Sequence, residues 1–537
     1  MGTQKSAKVA CATGAGASKR TFNKQHEKTP MPCQPPVQRR ANFDEVALGY
    51  SLEEAINEAH RCIHCPKSPC VLGCPVGVPV SEFIAKLADG DLAGAYASIK
   101  STNALPAICG RVCPQESQCE ALCTRGRNGQ PVAIGRLERF VADWARAHPE
   151  ELEDARNDRD GRDDCDEPLA GTSVAMVGSG PASLTCAGEL ARKGARTVVF
   201  EALHEVGGVL VYGIPEFRLR KDLVCQEVGD LVREGVLFEK DVVMGKLYTV
   251  DELMDQMGFD AVFIGTGAGL PLYLGIEGES LNGVSVANEL LTRVNLMKAY
   301  RFPEYVTPVH KGKRCVVVGG GNVAMDAART ARRLGADVTV VYRRSFEEMP
   351  ARSEEIEHAQ EEGVNFSLLT NPVRAVGDSL GWVHDLECIR MELGEPDEDG
   401  RRRPREVPGS EFTMRCDMLI VAIGSRPNPL IAQTTEGLAL DRGGVIATDA
   451  DTGATSKPGV FCGGDAATGS ATVILAMGAG KRAARSIEEY LLKRRVPIDA
   501  SEASASEDGV FNGREGVPGP IADEAFAHPD DLRGSEA

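Results

Sequence analysis

The chain has 537 residues, a formal net charge of −18, an apolar fraction of 42% and 58 glycines. This length accommodates three or four domains, and the glycine content is typical of an α/β protein with several nucleotide-binding turns. The acidic balance argues against a nucleic-acid partner, and the sequence shows neither an apolar run of about 20 residues nor a signal peptide, so we expect a cytoplasmic protein without a membrane segment.

The N-terminal third is predicted to be helical. Residues 1–40 are rich in Lys, Gln, Pro and small residues, which predicts a flexible tail that wraps around the protein or dangles. A helix is expected from about Ser51, because a serine followed three residues later by Glu54 forms a capping box. Further helical patterns cover about Val80–Ser98 and Ile134–Ala147.

Cysteines are concentrated in this third of the chain. Of 17 cysteines, eight form two runs: Cys62, Cys65, Cys70 and Cys74, then Cys109, Cys113, Cys119 and Cys123. The first run, C-x2-C-x4-C-x3-C-P, is similar to a bacterial iron–sulfur pattern in which the fourth cysteine crosses to a second cluster. The same crossing would join Cys74 to the second run. We therefore predict two [4Fe–4S] clusters, with a pair of structural zinc sites as the alternative.

A first glycine loop begins the α/β part of the chain. Gly178-Ser179-Gly180-Pro181-Ala182 follows a buried strand and opens a helix, which lets backbone N–H groups approach a pyrophosphate. Glu201 ends the next strand, where an acid binds a ribose hydroxyl, and Gly207 and Gly208 follow it. This spacing predicts a dinucleotide site, which we assign to FAD.

A second glycine loop, Gly319–Asn322, opens another strand–turn–helix unit. Its second strand ends in Arg343 and Arg344 rather than in an acid. Because an acid repels a 2′-phosphate and guanidinium groups bind one bidentately, the pair favours NADP over NAD. The alternative is a solvated strand end with surface ion pairs.

The C-terminal part completes the FAD site. Gly464 and Asp465 follow a strand and precede a helix of about Ala471–Lys493, whose positive N-terminus suits the flavin pyrimidine edge. A charged, proline-rich run at Glu395–Pro408 predicts a hairpin tip. The fold class is therefore α/β, with two Rossmann-like nucleotide-binding domains preceded by an α-helical iron–sulfur domain, and with the NADP domain inserted into the FAD domain.

These patterns divide the chain into seven parts. The expected parts are a flexible tail at 1–40, the iron–sulfur domain at 41–149, an acidic linker at 150–170, FAD-binding residues 171–300, the NADP-binding domain at 301–416, further FAD-binding residues 417–495 and a disordered tail at 496–537.

Several longer stretches resemble the glutamate synthase small-subunit (β-subunit) family of FAD, NADP and iron–sulfur oxidoreductases. The resemblance runs from about Asn42 to Leu492 and is carried by GRVCPQESQCEALC, GSGPAS, YGIPEFRLRKD and GGGNVAMDAART with VVYRRSFEEMPARSEE. The N-terminal half of dihydropyrimidine dehydrogenase is similar too. Within the family, NFDEVALGY, GTGAGLP and ELLTRVNLMKAYRFPEY are most similar to the large subunit of NADH-dependent ferredoxin:NADP oxidoreductase, also described as a sulfide dehydrogenase α subunit.

The resemblance implies ligands for both clusters. One cluster would be held by Cys62, Cys65, Cys70 and Cys123, and the other by Cys74, Cys113, Cys119 and Glu138. Cys109 is then left without iron, although spacing alone favours it. The alternative for Glu138 is a surface helix residue paired with Arg136 or Arg139.

The resemblance also implies nucleotide contacts. The implied FAD contacts are Gly178, Ser179, Gly180, Pro181, Ala182, Glu201, Gly208, Val209, Arg218, Gly464, Asp465, Thr472 and Val473. The implied NADP contacts are Gly320, Gly321, Asn322, Val323, Arg343 and Arg344. No catalytic side chain is expected, because hydride and electron transfer are cofactor chemistry.

These features predict an oxidoreductase subunit that exchanges hydride between NADPH and FAD and passes single electrons through the clusters. The resemblance implies the large subunit of a bifurcating transhydrogenase, with a second, ferredoxin-reductase-like flavoprotein subunit and ferredoxin as partners. The alternative is a glutamate synthase small subunit that feeds a separate glutamine-processing large subunit. A scaffold that has lost nucleotide turnover is a further alternative, but it conflicts with the intact glycine loops and the arginine pair.

Overall fold

The computed structural model describes residues 22–152, 167–396, 402–441, 443–469 and 471–495. The first 21 residues, most of the predicted acidic linker and the predicted tail at 496–537 lie outside these ranges. Within them, no helix is both long and apolar enough to cross a membrane.

A helical N-terminal part precedes an α/β remainder. The N-terminal helices are α1 Pro36–Arg39, α2 Leu52–Ala59, α3 Pro69–Leu72, α4 Val80–Ala88, α5 Leu92–Lys100, α6 Pro106–Val112 and α7 Ile134–Ala147. The later helices are α8 Pro181–Ala191, α9 Val209–Tyr212, α10 Lys221–Arg233, α11 Val250–Asp255, α12 Ala287–Asn295, α13 Asn322–Arg333, α14 Ser353–Glu361, α15 Leu430–Gln433, α16 Asp465–Thr468 and α17 Val473–Arg495. Short 3₁₀ turns lie at Gln115–Ser117, Thr124–Asn128, Ala299–Arg301 and Phe346–Glu348.

In the described ranges, the strands follow the helical part. They are β1 Ser173–Val177, β2 Arg196–Phe200, β3 Leu237–Glu239, β4 Ala261–Ile264, β5 Leu270–Pro271, β6 Val284–Val286, β7 Arg314–Val318, β8 Asp337–Tyr342, β9 Asn365–Leu368, β10 Thr370–Gly377, β11 Val383–Pro396, β12 Arg402–Glu406, β13 Phe412–Arg415, β14 Met418–Val421, β15 Ser425–Arg426 and β16 Val460–Cys462.

Helices α2 and α7 begin where the sequence predicts. The Ser51 hydroxyl accepts a hydrogen bond from the backbone N–H of Glu54, and the Glu54 carboxylate accepts one from the backbone N–H of Ser51 at 2.7 Å. This capping box satisfies two backbone N–H groups that the helix itself leaves without partners. Helix α7 has the predicted bounds, and it buries Leu137 and Val141 in the core of the helical part.

The helical stretch predicted at about Val80–Ser98 is wrong in one respect, because the structure divides it into α4 and α5. Gly90 adopts φ +83° between them, a left-handed conformation that glycine accommodates readily. Asp91 then starts the second helix, since its carboxylate accepts from the backbone N–H of Gly94 at 2.8 Å.

Of the two predicted forms of the N-terminal tail, residues 22–40 adopt the one that wraps around the protein, and this part of the segment does not dangle. The backbone N–H of Thr29 donates to the buried carboxylate of Glu58 at 2.7 Å. Arg39, whose side chain is 2% exposed, pairs with Glu361 at 2.6 Å and Glu362 at 3.0 Å at the end of α14. The segment therefore wraps across two parts of the molecule. Its polar composition conceals this, because the partners that bury its charges lie far away in the chain.

Among the described residues, the α/β part contains two five-stranded parallel sheets and a four-stranded antiparallel sheet of β10, β11, β12 and β13. Of the parallel sheets, the first has the order β16-β4-β1-β2-β3 and the second the order β6-β14-β7-β8-β9. Strand β16 joins the first sheet after the whole second sheet has been completed. The predicted fold class, with one nucleotide-binding unit inserted into another, is confirmed by this order.

The predicted limits of the inserted unit, 301 and 416, are too narrow. Strands β6 and β14 pair with each other in parallel and belong to the second sheet, so that sheet runs from residue 284 to residue 421. The short antiparallel pair β5–β15 lies at the two crossings. The sequence alone does not show which sheet a short apolar strand such as β6 or β14 joins. The hydrogen-bonded partners of these strands place both in the second sheet.

Strands β11 and β12 form the hairpin predicted at Glu395–Pro408. They are antiparallel, with Met391 opposite Glu406 and Leu393 opposite Pro404. The tip itself, residues 397–401, lies outside the described residues.

Helix α17, predicted as about Ala471–Lys493, packs closely on α8. A side chain at Gly480 would place its Cβ only 2.1 Å from the carbonyl oxygen of Ala182, so the two helix backbones are nearly in contact. The same helix contacts the helical part, because the Lys481 ammonium donates to the carbonyl oxygen of Thr102 at 2.8 Å. Helix α17 thus connects the first parallel sheet to the cysteine-rich part.

Candidate functional site

The two glycines of the first loop have different roles. Gly178 adopts φ +91°, and a Cβ there would lie 2.8 Å from the carbonyl oxygen of Gly265, so the fold itself requires glycine. Gly180 caps helix α8 with an ordinary φ of −69°, and a Cβ there would come no closer than 3.7 Å to the protein. The protein therefore gives no reason for glycine at this position, whereas a pyrophosphate approaching the helix N-terminus does.

The carboxylate of Glu201 fixes the first glycine loop through hydrogen bonds. It accepts hydrogen bonds from the backbone N–H of Ser179 at 2.9 Å, from the Ser179 hydroxyl, and from the backbone N–H of Leu203 at 2.9 Å. The second glycine pair lies close by, since a Cβ at Gly208 would lie 3.1 Å from the Cα of Gly180. Gly208 and the partly exposed Val209 therefore border the same space as the glycine loop.

The C-terminal residues predicted to bind FAD reach this space from the other side. A Cβ at Gly464 would lie 3.2 Å from the Cβ of Ala182, which places the end of strand β16 against the start of α8. Burial raises the pKa of the neighbouring Asp465 to about 6, and this carboxylate accepts from the backbone N–H of Ala471 at 3.0 Å. Thr472 directly precedes helix α17 and Val473 begins it, so their backbone groups stand at its positive end.

Arg218 takes a position between the two nucleotide-binding units. Its guanidinium bonds both oxygens of Asp326 at 2.7 Å and pairs with Glu355 at 3.0 Å. Asp326 lies in α13 and Glu355 in α14, so the arginine ties the first unit to the second. Its expected contact with the flavin stays a prediction.

The second glycine loop repeats the pattern of the first. Gly319 adopts φ +146°, and a Cβ there would lie 2.2 Å from the carbonyl oxygen of Ala422. Gly320 is similarly restricted by the ring of Tyr342. Gly321 has φ −91°, and a Cβ there would meet nothing closer than Pro350 at 4.0 Å. As at Gly180, glycine here suits the approach of a ligand.

The other residues predicted to bind NADP surround this loop. Asn322 begins helix α13, and its side-chain oxygen accepts from the backbone N–H of Arg352 at 3.0 Å. Val323 is 44% exposed beside it. At the end of strand β8, Arg343 is exposed, while Arg344 is half-buried and donates from Nε to the carbonyl oxygen of Arg402 at 3.0 Å.

Four of the predicted cluster ligands line one cavity of about 20 Å³ in the helical part. They are Cys62, Cys65, Cys70 and Cys123. The rest of the lining includes the apolar side chains of Val80, Ile84, Val132 and Ile134. Burial raises the pKa of the Cys62 and Cys70 thiols to about 11. Iron binds the deprotonated thiolate, so binding here would release the thiol protons. Four thiols around one small, mostly apolar cavity fit an iron–sulfur cluster.

The other predicted ligands meet at the buried face of α7. Burial raises the pKa of Glu138 to about 7 and is the largest cause that raises the pKa of Cys74 and Cys119. At Cys113 a hydrogen bond with Cys109 lowers the pKa and burial raises it, with a net rise, and the charge of Glu138 raises the pKa of all three thiols further. The carboxylate is therefore near all three thiols. Glu138 is 8% exposed and accepts from the Asn103 amide at 2.7 Å, which differs from the alternative of a surface residue paired with Arg136 or Arg139.

Cys109 lies beside Glu138 and these thiols. Its thiol is fully buried, donates to the Asn103 side-chain oxygen at 3.6 Å and contacts the sulfur of Met477 in α17 at 3.5 Å. The structure therefore brings together both candidates for the fourth ligand, Glu138 and Cys109. In the described ranges, no three His, Cys, Asp or Glu side chains are arranged to bind a single metal ion.

Three residues that contact the predicted site were missed by sequence reasoning. Asn103 contacts both fourth-ligand candidates, Met477 links Cys109 to α17, and the carbonyl oxygen of Arg402 accepts from Arg344. Asn103 and Met477 stand in no motif. The hairpin containing Arg402 was predicted, but its charge pattern gave no indication that it lies beside the NADP loop.

Two family models match the chain. Residues 39–150 match the 4Fe–4S cluster domain described as dihydropyrimidine dehydrogenase domain II, and residues 172–480 match the pyridine nucleotide-disulphide oxidoreductase family. The first match covers the cysteine-rich helical part. The second spans both parallel sheets.

Curated relatives are similar over most of the chain. The glutamate synthase [NADPH] small chain of Halomonas elongata is 36% identical over 472 residues, which is 86% of this chain and 96% of that protein. The small chain of the same name from Escherichia coli is 35% identical, over 87% of this chain and 97% of that one. The NADPH-Fe(3+) oxidoreductase subunit beta of Geobacter sulfurreducens is 34% identical, over 89% of this chain and 72% of that protein.

Solved structures share the fold of the α/β part. A variant of FprA from Mycobacterium tuberculosis has a TM-score of 0.50 and 22% identity, over 60% of this chain and 84% of that chain.

Proposed function

Because the chain belongs to the glutamate synthase small-chain family of FAD- and NADP-dependent iron–sulfur oxidoreductases, we propose that it takes electrons from NADPH and delivers them singly to a partner protein. When bound, FAD exchanges a hydride with NADPH and releases single electrons, which iron–sulfur clusters carry. The chain's own residues bind and orient these groups, and no side chain acts as nucleophile or general acid.

The observation that carries this proposal is the course of helix α17. Its N-terminus, Thr472–Val473, stands at the predicted flavin site beside the first glycine loop. One turn further on, Met477 contacts the thiol of Cys109, and a Cβ at Gly478 would lie 2.9 Å from the carbonyl oxygen of Pro75. One rigid helix therefore spans the short distance between the flavin site and the thiols around Glu138.

We assign the groups to residues as follows. The cavity thiols Cys62, Cys65, Cys70 and Cys123 hold one [4Fe–4S] cluster, and Cys74, Cys113, Cys119 and Glu138 hold the other. Gly180 admits the FAD pyrophosphate and Glu201 the ribose, whereas Gly321 admits the NADP pyrophosphate and Arg343 with Arg344 the 2′-phosphate. The domain limits predicted from sequence are kept, except that the NADP-binding part includes at least residues 284–421, since its sheet spans them.

The identity of the partner separates two forms of this proposal. The sequence resemblance favours a bifurcating transhydrogenase, in which a second flavoprotein subunit and ferredoxin receive the electrons. The relatives from Halomonas elongata and Escherichia coli favour a glutamate synthase, in which a separate glutamine-processing subunit receives them. In either form we propose a cytoplasmic location, because reducing surroundings keep ligand thiols available.

Anaerobic reduction with NADPH tests the core of the proposal. We expect NADPH to bleach the flavin absorbance and then to produce the EPR signal of a reduced cluster in the isolated chain. If NADPH reduces the flavin but produces no cluster signal, at a potential at which dithionite does reduce the cluster, electron transfer along this path is contradicted. Purification of the native complex then decides the form, since a flavoprotein subunit indicates transhydrogenase and a very large amidotransferase indicates glutamate synthase.

A further inference from the structure

We propose that Arg402, on strand β12, is a positioning residue that sets the preference of the second nucleotide site for a 2′-phosphate. The inference rests on the proposed function, in which Arg343 and Arg344 hold that phosphate. Arg402 lies about 60 residues along the chain from Arg343 and Arg344, but its carbonyl oxygen accepts a hydrogen bond from Arg344.

Two carboxylates share the turn that carries the arginine pair. Glu347 and Glu348 lie in the 3₁₀ turn directly after strand β8, and the Tyr342 hydroxyl donates to the carbonyl oxygen of Glu348 at 2.9 Å, which folds the turn back onto the strand end. Glu348 is fixed further by the hydroxyl of Ser345, which donates to its carboxylate at 2.5 Å. Neither acid suits a site for a doubly charged phosphate.

Arg402 pairs with both carboxylates and offsets one of their two negative charges. Its Nε donates to Glu348 at 2.6 Å and its Nη2 donates to Glu347 at 2.9 Å. Its carbonyl oxygen accepts from Nε of Arg344 at 3.0 Å, which leaves the two terminal nitrogens of that guanidinium for other partners. One residue thus restrains an arginine through its main chain and two acids through its side chain.

The charges of the turn explain why Arg402 should affect the binding of NADPH and not that of NADH. Arg343 and Arg344 contribute two positive charges, and Glu347 and Glu348 contribute two negative charges, so the turn alone offers a phosphate no net attraction. Arg402 restores a positive balance within about 8 Å, the range over which charges act at physiological ionic strength. A nucleotide without a 2′-phosphate has no charge at this position and should be insensitive to the change.

The side-chain substitution Arg402→Ala tests this, because it retains the carbonyl oxygen that holds Arg344. Arg403 provides a matched control: it is an exposed arginine on the same strand, and Arg403→Ala removes the same charge at a neighbouring position. With the FAD- and cluster-loaded protein, we would titrate 2′,5′-ADP and 5′-ADP calorimetrically and determine KM for NADPH and NADH. We expect Arg402→Ala to weaken 2′,5′-ADP and NADPH roughly three- to tenfold and 5′-ADP and NADH by less than about twofold. Arg403→Ala should change all four by less than about twofold, and Arg402→Lys should restore part of the loss.

A double-mutant cycle with Glu347→Gln identifies the mechanism. Glu347 is 83% exposed, so its substitution should not disturb the fold. If Arg402 acts by neutralising this acid, Arg402→Ala should cost less when Glu347 is already Gln than in the wild-type chain. Equal losses for phosphorylated and unphosphorylated ligands, or equal effects of Arg402→Ala and Arg403→Ala, would overturn the inference. The assignment of the phosphate to Arg343 and Arg344 is tested separately by substituting those residues, so either proposal can fail without the other.

Discussion

The side-chain amide of Asn103 donates a hydrogen bond to Glu138 Oε1 at 2.7 Å, inside the helical part and 35 residues away in the chain. The oxygen of the same amide accepts from the thiol of Cys109 at 3.6 Å and from the backbone N–H of Leu105 at 3.0 Å. Asn103 is completely buried and held in place by this backbone contact. It therefore contacts both candidates for the fourth ligand, the Glu138 carboxylate and the Cys109 thiol.

The first prediction compares these two candidate ligands. Glu138→Ala should leave one cluster without its fourth ligand, so that roughly one iron per chain is lost readily and the EPR signal of that cluster changes. Glu138→Cys should retain the iron and shift the potential, because a thiolate is a softer ligand than a carboxylate. Cys109→Ser should leave both signals intact. Redox-titrated EPR decides, and loss of a cluster in Cys109→Ser with both retained in Glu138→Ala would show that Cys109 is the ligand.

The second prediction is the metal content. Two cubane clusters require about eight iron atoms per chain beside one FAD, with no stoichiometric zinc. Anaerobic purification followed by elemental analysis measures this. Four iron atoms with stoichiometric zinc would refute the two-cluster assignment, and Cys123→Ser, which removes a thiol from the cavity, should lower the iron content by about four.

The third prediction concerns nucleotide preference. Substituting Arg343→Glu together with Arg344→Glu should raise KM for NADPH by at least roughly tenfold, because it removes charge-assisted contacts to the 2′-phosphate and adds two repelling acids. KM for NADH should change little or fall. Steady-state kinetics with both nucleotides provide the measurement, and an equal change for the two would show that these arginines do not contact the phosphate.

Local signals in the sequence predicted much of this structure. The capping box at Ser51, the bounds of α7, both glycine turns and the hairpin of β11 and β12 follow from patterns a few residues long. Spacing grouped three of the cavity thiols, Cys62, Cys65 and Cys70, whereas the fourth, Cys123, came from the family resemblance.

Contacts between distant polar residues could not be predicted in the same way. Asn103 meets Glu138, Arg39 meets Glu362, and Arg402 meets Glu347, and each pair is separated by at least 35 residues. Such contacts produce no periodicity and no motif in the sequence, because each of these residues suits a solvated surface equally well. Residues 22–40 were therefore expected to be flexible, although Arg39 is almost fully buried.

The last prediction separates the two glycines of the NADP loop. Gly319→Ala should destabilise the protein, because it forces a Cβ into a left-handed conformation, at a cost of about 1–2 kcal/mol, and 2.2 Å from the carbonyl oxygen of Ala422. Gly321→Ala should leave the thermal unfolding midpoint nearly unchanged, since its φ of −91° is ordinary and its Cβ has 4.0 Å of clearance. It should nevertheless weaken NADPH binding by roughly tenfold or more, because the methyl group fills the space through which the pyrophosphate approaches the helix N-terminus. Thermal unfolding and nucleotide titration of both variants measure the two effects. If Gly321→Ala binds NADPH as the wild-type chain does, the pyrophosphate does not lie against this glycine, and the assignment of the second loop to NADP is wrong.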